Sequence, residues 1–589
     1  MKKRNILLTF LAVAGMLTAT SCKDYLDEMP DNRAELDSES KIISLLVSAY
    51  PETDYIFCTE LGTDNVDDFG ESNPYGDRFM EQIYNWQVIT EADNEDPSRI
   101  WEGCYNAIAV ANQALASIAE MEETSALKAA KGEALICRAY SHFILVNTFA
   151  QHYTKANAAT DLGITYMEVP ETELDPKYER NTVAEVYEKI EKDLKEGLPL
   201  ISDEIYTVPK YHFNMKAAYA FATRFYLYYQ RWQDAIDCAT KALGSSPAGQ
   251  LRDYAALDAL PKDPFSKVCE QYVSANVKAN YLLQTAYSQL GLVFTSYYTG
   301  SRYAHGAYLA QTETLMSRGP WGPFANKVYK FYPWASTGTN FDKTLVPRFP
   351  YLIEYTDPVA QTGYARTVYA AFTAEETLLA RAEAYILLKE YDKALADLQT
   401  WVNNTINGPY TLTKEAIENW VASYEYYTPN APTPKKKLNP EFTIEEGQQE
   451  AYLQFLLYAR RYETLFTGLR WFDIKRYGIE IYRLPSWPVM GGRFPVLKPF
   501  ADADDLWAQG IDFAVIQTRM YTQSVWAARQ CKRRGIPALV IDHSTGYMLH
   551  GGLAGALGKE EYKEMHKAIS RDCITLVKYK DRDVLPITP

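Results

Sequence analysis

The sequence predicts a mostly α-helical protein whose helices come in hairpins, with a small α/β segment near the C-terminus. Apolar residues recur every three or four positions through much of 99–243 and 373–403, which is the period of a helix with one buried face. Between these ranges, about 245–370 is rich in Tyr, Trp, Gly and Pro and lacks this period. Far downstream, the short apolar runs "FAVIQ" (513–517) and "ALVID" (538–542) flank a basic amphipathic stretch, a strand–helix–strand pattern.

The first helices have distinct apolar faces and start points. The range 99–121 is predicted to be a helix with one apolar stripe, made of Ile100, Cys104, Ile108, Ala111 and Leu115. A second helix, 125–153, follows after a short polar turn. The helix predicted over 182–201 begins at Thr182, and Glu185 three residues later completes a capping box.

Two later segments share one plan. In 214–243 and again in 373–403, a helix rich in small residues is followed by a turn with an aromatic residue and a second helix. Small residues let two helices approach closely, and this spacing is typical of tetratricopeptide hairpins. We therefore predict a scaffold of irregular tetratricopeptide-like helical hairpins with long loop excursions at about 50–98 and 245–370. Loops of this length tend to be functional, so they could build a binding face.

The stretch "RRYETLFTGLRWFDIKRYG" (460–478) combines aromatic residues with arginines. Its apolar residues follow the helical period, so we predict one amphipathic helix. Within that helix, Arg460 would pair with Glu463, and Asp473 would pair with Arg470 and Arg476, because these residues lie three apart.

The N-terminus indicates export. Lys2, Lys3 and Arg4 precede the apolar run "ILLTFLAVAGML", which is too short to span a bilayer permanently. The small residues "TATSC" then end at Cys22, and this arrangement resembles a bacterial lipobox, although Ala19 stands where many lipoboxes have Leu. The resemblance implies a signal peptide at 1–21 and an outer-membrane lipid anchor on Cys22; the alternative is an ordinary secretory signal with a chance Cys.

Composition narrows the function classes. The net charge of −15 makes nucleic acid an unlikely partner. The seven remaining cysteines are dispersed and show no metal-ligand spacing, and Cys137 and Cys238 sit in helical patterns, as small buried apolar residues do. No HExxH or EF-hand motif is present, so no metal and no cofactor are predicted.

An ordered set of fragments resembles a known family. They are "TSCKDYLDEMP", "LLVSAYPETDY", "TELGTDNV", "IWEGCYNAIAVAN", "KGEALICRAYSHFILVNTF", "RWQDAIDCATKAL", "LLARAEAYILLKEYDKAL" and "RRYETLFTGLRWFDIKRYG". Over residues 20 to about 483 they resemble the SusD/RagB outer-membrane nutrient-binding lipoproteins. The resemblance implies a mostly α fold with four irregular hairpins, an outward-facing lipid anchor and no catalysis. It also implies a SusC-like TonB-dependent transporter as partner and oligosaccharides or polysaccharides as ligands, with peptides in some members.

The chain departs from that pattern near its end. The βαβ unit in 510–548 resembles a fragment of a GT-B glycosyltransferase, with "DHSTGY" as a His-containing loop, but it is too short for two Rossmann-like domains and lacks a GxGxxG loop. We therefore predict a SusD-like helical domain over 22–487, an inserted or fused α/β fragment over 488–568 and a SusD-like closing tail over 569–589.

Candidate ligand residues come from three segments within the two long loop excursions. The family's Glu-Leu-x-x-Asp-Asn pattern is matched at Glu60 to Asn65, and the overlapping segment 63–77 offers carboxylates beside aromatic rings, which suits the hydroxyls and the C–H face of a sugar. The segments 296–308 and 318–324 hold rings between Gly and Pro residues. The candidates are Asp67, Asp68, Phe69, Tyr75, Tyr297, Tyr298, Arg302, Tyr303 and Trp321. The alternatives are a solvated acidic loop with Asx turns and rings that staple the core.

These observations predict a cell-surface lipoprotein that captures glycan and delivers it to a SusC-like transporter, without enzymatic activity. Two other functions stay open at this point. The C-terminal segment around Asp542 and His543 could carry a glycosyltransferase-like activity, and the helical hairpins could form a scaffold that binds only peptide or protein.

Overall fold

A computed structural model describes residues 36–482, apart from 72, 173–175, 263, 297, 323–327, 332–333, 336–342 and 430, and six short strands beyond residue 513. The predicted anchor Cys22 and the helix predicted between "FAVIQ" and "ALVID" lie outside the described residues. In the described part of the chain, no helix combines the length and the apolar character needed to cross a bilayer.

The described helical body is mostly α, as predicted. Its helices are α1 Glu39–Leu46, α2 Ile56–Leu61, α3 Arg78–Tyr84, α4 Pro97–Ala119, α5 Ser125–Phe149, α6 Val183–Gly197, α7 Met215–Tyr228, α8 Trp232–Leu243, α9 Tyr254–Asp258, α10 Ser266–Tyr272, α11 Ala307–Glu313, α12 Ala374–Leu387, α13 Tyr391–Thr405, α14 Lys414–Ala422, α15 Gln448–Thr464 and α16 Leu469–Tyr477. Consecutive long helices pack in pairs, α4 on α5, α7 on α8 and α12 on α13.

The predicted start signals act as expected. The side chain of Thr182 accepts from the backbone N–H of Glu185, whose carboxylate accepts in return from the N–H of Thr182. Asp96 and Thr124 cap α4 and α5 with one bond each, because each side chain accepts the backbone N–H of the residue three positions on. Each cap satisfies an N–H group that has no partner inside the helix. The hairpins predicted at 214–243 and 373–403 are confirmed, because α7 packs on α8 and α12 packs on α13. The two hairpins also contact each other, since α8 of the first packs on α12 of the second.

The excursion at 245–370 contains a sheet that helical periodicity did not predict. Strand β2 (Asn280–Tyr287) pairs antiparallel with β7 (Thr362–Thr373), and β7 pairs antiparallel with β6 (Leu352–Asp357). Most of β2 is buried and the C-terminal half of β7 is buried or half-buried, whereas β6 is exposed along its whole length. The other short strands of the body are β1 (Asp67–Asp68), β3 (Tyr303–Ala304), β4 (Trp334–Ala335) and β5 (Thr344–Leu345).

The single helix predicted over 460–478 is wrong. Two helices, α15 and α16, are separated by a turn in which Phe466 (φ 67°) and Gly468 (φ 74°) adopt left-handed conformations. A Cβ at Gly468 would lie 2.3 Å from the Thr59 hydroxyl oxygen and 3.0 Å from the Ile56 Cα. Glycine is therefore required there both by its φ and by the close approach of α2.

The described strands of the C-terminal segment form a four-stranded sheet and a two-stranded hairpin. Strands β8 (Ala514–Thr518) and β9 (Ala538–Asp542) pair in parallel, as "FAVIQ" and "ALVID" predict. Strand β10 (Met548–His550) adds to β9, and β13 (Pro586–Ile587) adds in parallel to β8. Strands β11 (Val577–Tyr579) and β12 (Arg582–Val584) form a hairpin. The predicted insert and the predicted tail thus contribute strands to one sheet, while the domain boundaries themselves stay a prediction.

Candidate functional site

The two predicted ligand loops meet in space. Strand β1 pairs with β3, and the backbone N–H of Phe69 donates to the carbonyl of Arg302 at 2.7 Å. The guanidinium of Arg302 donates from Nε and Nη2 to the two carboxylate oxygens of Asp68, both at 2.9 Å. The two loops are separated by more than 200 residues, and the sequence had named both as sources of ligand residues without predicting that they meet.

Most of their candidate side chains are internal. Asp67, Phe69, Arg302 and Tyr303 are buried, and Asp68 is occupied by Arg302. The ammonium of Lys343 closes the junction beneath them, where it donates to Asn73 Oδ1 and to the carbonyls of Thr299 and Ser301, and burial lowers its pKa to about 7. These contacts hold the two loops together. For these side chains, the alternative stated above, that they pack in the core, is the one the structure shows.

The remaining candidates are aromatic residues, and the structure describes the side chains of only two of them, Tyr75 and Trp321. Tyr75 is half-buried, and its ring lies against Gly300, where a Cβ would come within 2.6 Å. Tyr297 and the side chain of Tyr298 lie outside the described residues. Trp321 is half-buried in an aromatic cluster, with its ring edge-on to Tyr329 at 6.1 Å and to Tyr410 at 6.2 Å. As a ligand contact, Trp321 would have only part of its ring available.

The Glu-Leu-x-x-Asp-Asn segment binds the arginines of the last two helices instead of solvent. Asp64 accepts from Nε and Nη2 of Arg470 at 2.9 Å each, and Glu60 accepts the backbone N–H groups of Phe466 and Gly468. The nearby cations Arg461, Arg470 and Lys436 hold the pKa of Asp64 well below its usual range despite burial. Asp473 pairs with Arg476, as predicted, and also with Arg460.

The other pairings predicted along 460–478 are wrong. Arg470 pairs with Asp64 rather than with Asp473, and Arg460 pairs with Asp473 rather than with Glu463. Glu463 accepts instead from the Tyr254 hydroxyl and the indole N–H of Trp401. Each wrongly predicted pair lies within one helix, the first in α15 and the second in α16, so the break at Gly468 does not separate its members. Buried partners from other segments take these side chains instead.

An open cleft of about 560 Å³ lies beside the N-terminal half of α4. We call it the first cleft. Its floor includes Gly103, where a Cβ would come within 2.3 Å of the Thr53 hydroxyl oxygen, and one wall carries Tyr287 and Tyr364 from the sheet. The two rings are perpendicular at 5.8 Å, and 53% of Tyr364 is exposed. Clefts of this size with convergent aromatic and polar groups are the usual form of small-ligand sites.

Polar side chains complete the first cleft. Glu102 and Arg99 pair at 3.0 Å on its rim, and Asn94 and Asn106 present exposed amides. The guanidinium of Arg366 lies 3.8 Å from the centre of the Tyr287 ring and fixes that ring. Carboxylate, guanidinium and amide groups beside exposed rings can hydrogen-bond the hydroxyls of a sugar while a ring stacks on its C–H face.

Sequence reasoning did not select these residues. Tyr287 and Tyr364 end strands that were hidden within a long Tyr-rich segment, and only the pairing of β2 with β7 brings them to the cleft. The available signal was the content of aromatic and β-branched residues in "NYLLQTAY" and "TGYARTVYAAFT", which is typical of strands. In the described residues, no group of three His, Cys, Asp or Glu side chains is arranged to hold a metal ion.

Comparisons with known proteins agree with this architecture. A family model described as SusD-like, starch-binding and associating with the outer membrane matches residues 24–227. Among solved structures, the chain is similar to a candidate sugar-binding protein from Bacteroides vulgatus, with 18% identity and a TM-score of 0.55 over 78% of this chain and 92% of that one. A search of curated proteins finds no match.

Two further structures have the same fold. A SusD superfamily protein from Bacteroides fragilis shares 17% identity with a TM-score of 0.52, covering 77% of this chain and 92% of that one. A second one, from Bacteroides vulgatus, shares 19% identity with a TM-score of 0.51, covering 76% and 90%. At this identity the likeness establishes the fold alone, and it confirms the predicted helical class. The predicted GT-B likeness of the C-terminal segment stays a prediction.

Proposed function

We propose that this protein is a glycan-binding lipoprotein of the outer-membrane surface that captures oligosaccharide or polysaccharide and delivers it to a SusC-like TonB-dependent transporter. The observation that carries the proposal is the match of residues 24–227 to a family described as starch-binding and associated with the outer membrane. The SusD-like fold of the body and the first cleft support it. No step of this function requires bond cleavage, so the protein acts as a binding protein and not as an enzyme.

The first cleft is where we place the glycan. A sugar ring would stack on the exposed face of Tyr364, and Tyr287 would bound it at right angles. Arg99, Glu102 and Asn106 would hydrogen-bond its hydroxyls from α4. The originally predicted residues Asp68 and Arg302 would act indirectly, by joining the loops that β1 and β3 hold together.

Affinity gels test glycan binding. Full-length mature protein is run in native gels containing amylopectin, mixed-linkage β-glucan, galactomannan or arabinoxylan, and retardation in at least one gel is expected. Tyr364→Ala and Tyr287→Ala should clearly reduce that retardation. Tyr355→Ala is the matched control, because Tyr355 is 47% exposed on the neighbouring strand β6 but does not line the cleft. No retardation in any gel would reject glycan binding, and equal retardation of all variants would reject this cleft.

Fractionation tests the anchor. Cys22→Ala should move the protein from the membrane fraction to the soluble fraction without changing its thermal unfolding, because each buried methylene of a lipid chain contributes about 0.8 kcal/mol of membrane affinity. The experiment is done in a strain without the adjacent transporter, so that the lipid alone can hold the protein. A variant that still fractionates with the outer membrane would reject Cys22 as the anchor.

A further inference from the structure

Helix α4 has a second cleft on its opposite flank. It measures about 440 Å³ and is lined from the helix by Trp101, Tyr105, Ile108 and Asn112, and across from it by residues of 165–171 and 178–180. We call it the second cleft. The helical residues of the first cleft are 99, 102, 103, 106, 107 and 110, and those of the second are 101, 105, 108, 109 and 112, so every position of the second set lies two residues after a position of the first. Two residues turn an α-helix by about 200°, so one helix serves both clefts from opposite faces.

Two exposed rings mark the second cleft. Trp101 is 38% exposed, and its ring is fixed from behind by Tyr105 at 5.0 Å and edge-on by Phe149 at 5.3 Å. Tyr178, across the cleft, is 48% exposed, and its hydroxyl donates to a carboxylate oxygen of Glu171 at 2.6 Å. Both rings are therefore held in place while they keep accessible surface.

The far wall is attached to α4 by its own hydrogen bonds. The amide of Asn112 donates to the carbonyl of Met167 at 3.1 Å, and the Tyr105 hydroxyl donates to the carbonyl of Thr165 at 2.8 Å. Arg180 donates to the carbonyls of Gly163 and Leu162 farther along the wall. Because these bonds fix the wall before anything binds, the cleft is preformed, which reduces the entropy cost of binding.

We propose that the second cleft is a second carbohydrate-binding site, in which a pyranose ring stacks between Trp101 and Tyr178 and hydrogen-bonds Glu171 and Arg180 at the mouth. This inference rests on the proposed glycan-binding function. A peptide is the less favoured occupant, because a helix and an irregular wall line this cleft and offer no strand edge for a peptide backbone. The broad exposed rings suit the flat C–H face of a sugar.

The arrangement predicts bivalent capture of polymers. The two clefts lie on either side of a helix that is about 10–12 Å wide with its side chains. A long or branched polysaccharide can occupy both, and binding at one cleft then raises the effective concentration of sugar at the other. A short oligosaccharide should fill each cleft independently.

Binding stoichiometry tests the inference. Oligosaccharides of the polymer that retards the wild type, maltoheptaose in the case of amylopectin, are titrated calorimetrically into full-length mature protein. We expect two bound molecules for the wild type and one each for the Trp101→Ala/Tyr178→Ala and Tyr287→Ala/Tyr364→Ala variants. In polysaccharide gels the first of these variants should bind at least about tenfold more weakly, because it loses two aromatic contacts and the bivalent binding that they allow. Tyr211→Ala is the control, because Tyr211 is 38% exposed and lines neither cleft.

The outcomes separate the two proposals. One bound oligosaccharide that is lost in Tyr287→Ala/Tyr364→Ala and kept in Trp101→Ala/Tyr178→Ala would overturn the second site and leave the proposed function standing. A wild type that no polysaccharide retards would overturn both. If Trp101→Ala does not fold, acrylamide quenching of tryptophan fluorescence replaces it, and the difference between the wild type and Trp101→Phe isolates the signal of Trp101. Protection of Trp101 from acrylamide by the oligosaccharide supports the site. Shielding by casein peptides and not by oligosaccharide overturns it in favour of a peptide.

Discussion

Removing the negative charge of Asp64 should destabilise the whole helical body. This side chain is 2% exposed and joins α2 and its following turn to α16 through two hydrogen bonds of 2.9 Å from Arg470. Lys436 at 3.4 Å and Arg461 at 3.5 Å add positive charge. Asp64→Asn keeps the shape of the side chain but leaves three buried cations around a neutral amide.

The expected loss follows from the geometry. At 2.9 Å and an effective dielectric constant near 20, one pair of unit charges attracts by about 6 kcal/mol, which the cost of desolvating both ions partly offsets. Removal of one partner from a buried pair typically costs about 3–5 kcal/mol, because the other charge stays buried. We expect a loss in this range, a large fraction of a typical unfolding free energy of about 5–15 kcal/mol.

Urea unfolding followed by circular dichroism measures the loss. Glu123→Gln is the control: Glu123 pairs with Lys128 on the surface with a 72% exposed side chain, and the loss should stay below about 1 kcal/mol. Arg470→Met in the Asp64→Asn background should recover part of the stability, since it removes the uncompensated charge. A loss below about 1 kcal/mol for Asp64→Asn would refute the view that this cluster holds the N-terminal segment to the last helices.

Three further perturbations have defined outcomes. Gly468→Ala should cost about 2 kcal/mol in urea unfolding, because φ is +74° and a Cβ would meet Thr59, whereas Gly249→Ala, with no contact below 3.6 Å, should not. Burial raises the pKa of Glu463 to about 7, so stability should fall as pH rises from 5 to 8, and Glu463→Gln should flatten that slope. Deleting 488–568 or 488–589 should leave the main thermal transition in place; its loss would show that the C-terminal segment belongs to the helical fold.

The sign of the pH effect follows from the direction of the pKa shift. Glu463 titrates in the unfolded chain near 4.5 and in the folded one near 7, because burial disfavours its charged form. Its contribution is therefore greatest below pH 4.5 and is lost as pH rises through 7. Asp64 behaves in the opposite way: because its pKa is lowered, its contribution to stability is fully present above the unfolded value of 3.8 and is lost progressively as the pH falls below it.

The helices could be predicted because their determinants are local. The stripe on α4 is confirmed at Ile100, Cys104, Ile108 and Ala111, all within 1% exposure, and the Thr182 capping box forms within four residues. Period and caps depend on neighbours three or four positions away, so one sequence contains all the information needed. The same holds for the parallel pairing of "FAVIQ" and "ALVID", whose β-branched runs and connecting length favour it.

The arginine pairings could not be predicted because their partners are remote. Arg470 and Asp64 are 406 residues apart, and nothing near either residue identifies the other. Local spacing suggested Asp473 for Arg470, and α16 does contain both residues, but Asp473 accepts from Arg460 and Arg476 instead. The turn at Phe466 and Gly468 could not be predicted either, because a glycine within an apolar period does not by itself distinguish a tolerated interruption from a break.

Exposure of aromatic residues was the least predictable property, and it decides the candidate site. Phe69 and Tyr303 were placed in loops by their sequence surroundings and are buried, since β1 and β3 pair and Lys343 closes the space below them. Trp101 offered a better indication: it follows Ile100 of the buried stripe by one residue, a rotation of about 100°. A large ring just outside the apolar face of a well-defined helix must lie at its boundary. The helical period that predicts the core therefore also predicts which rings remain accessible, and it does so only where the helix itself is certain.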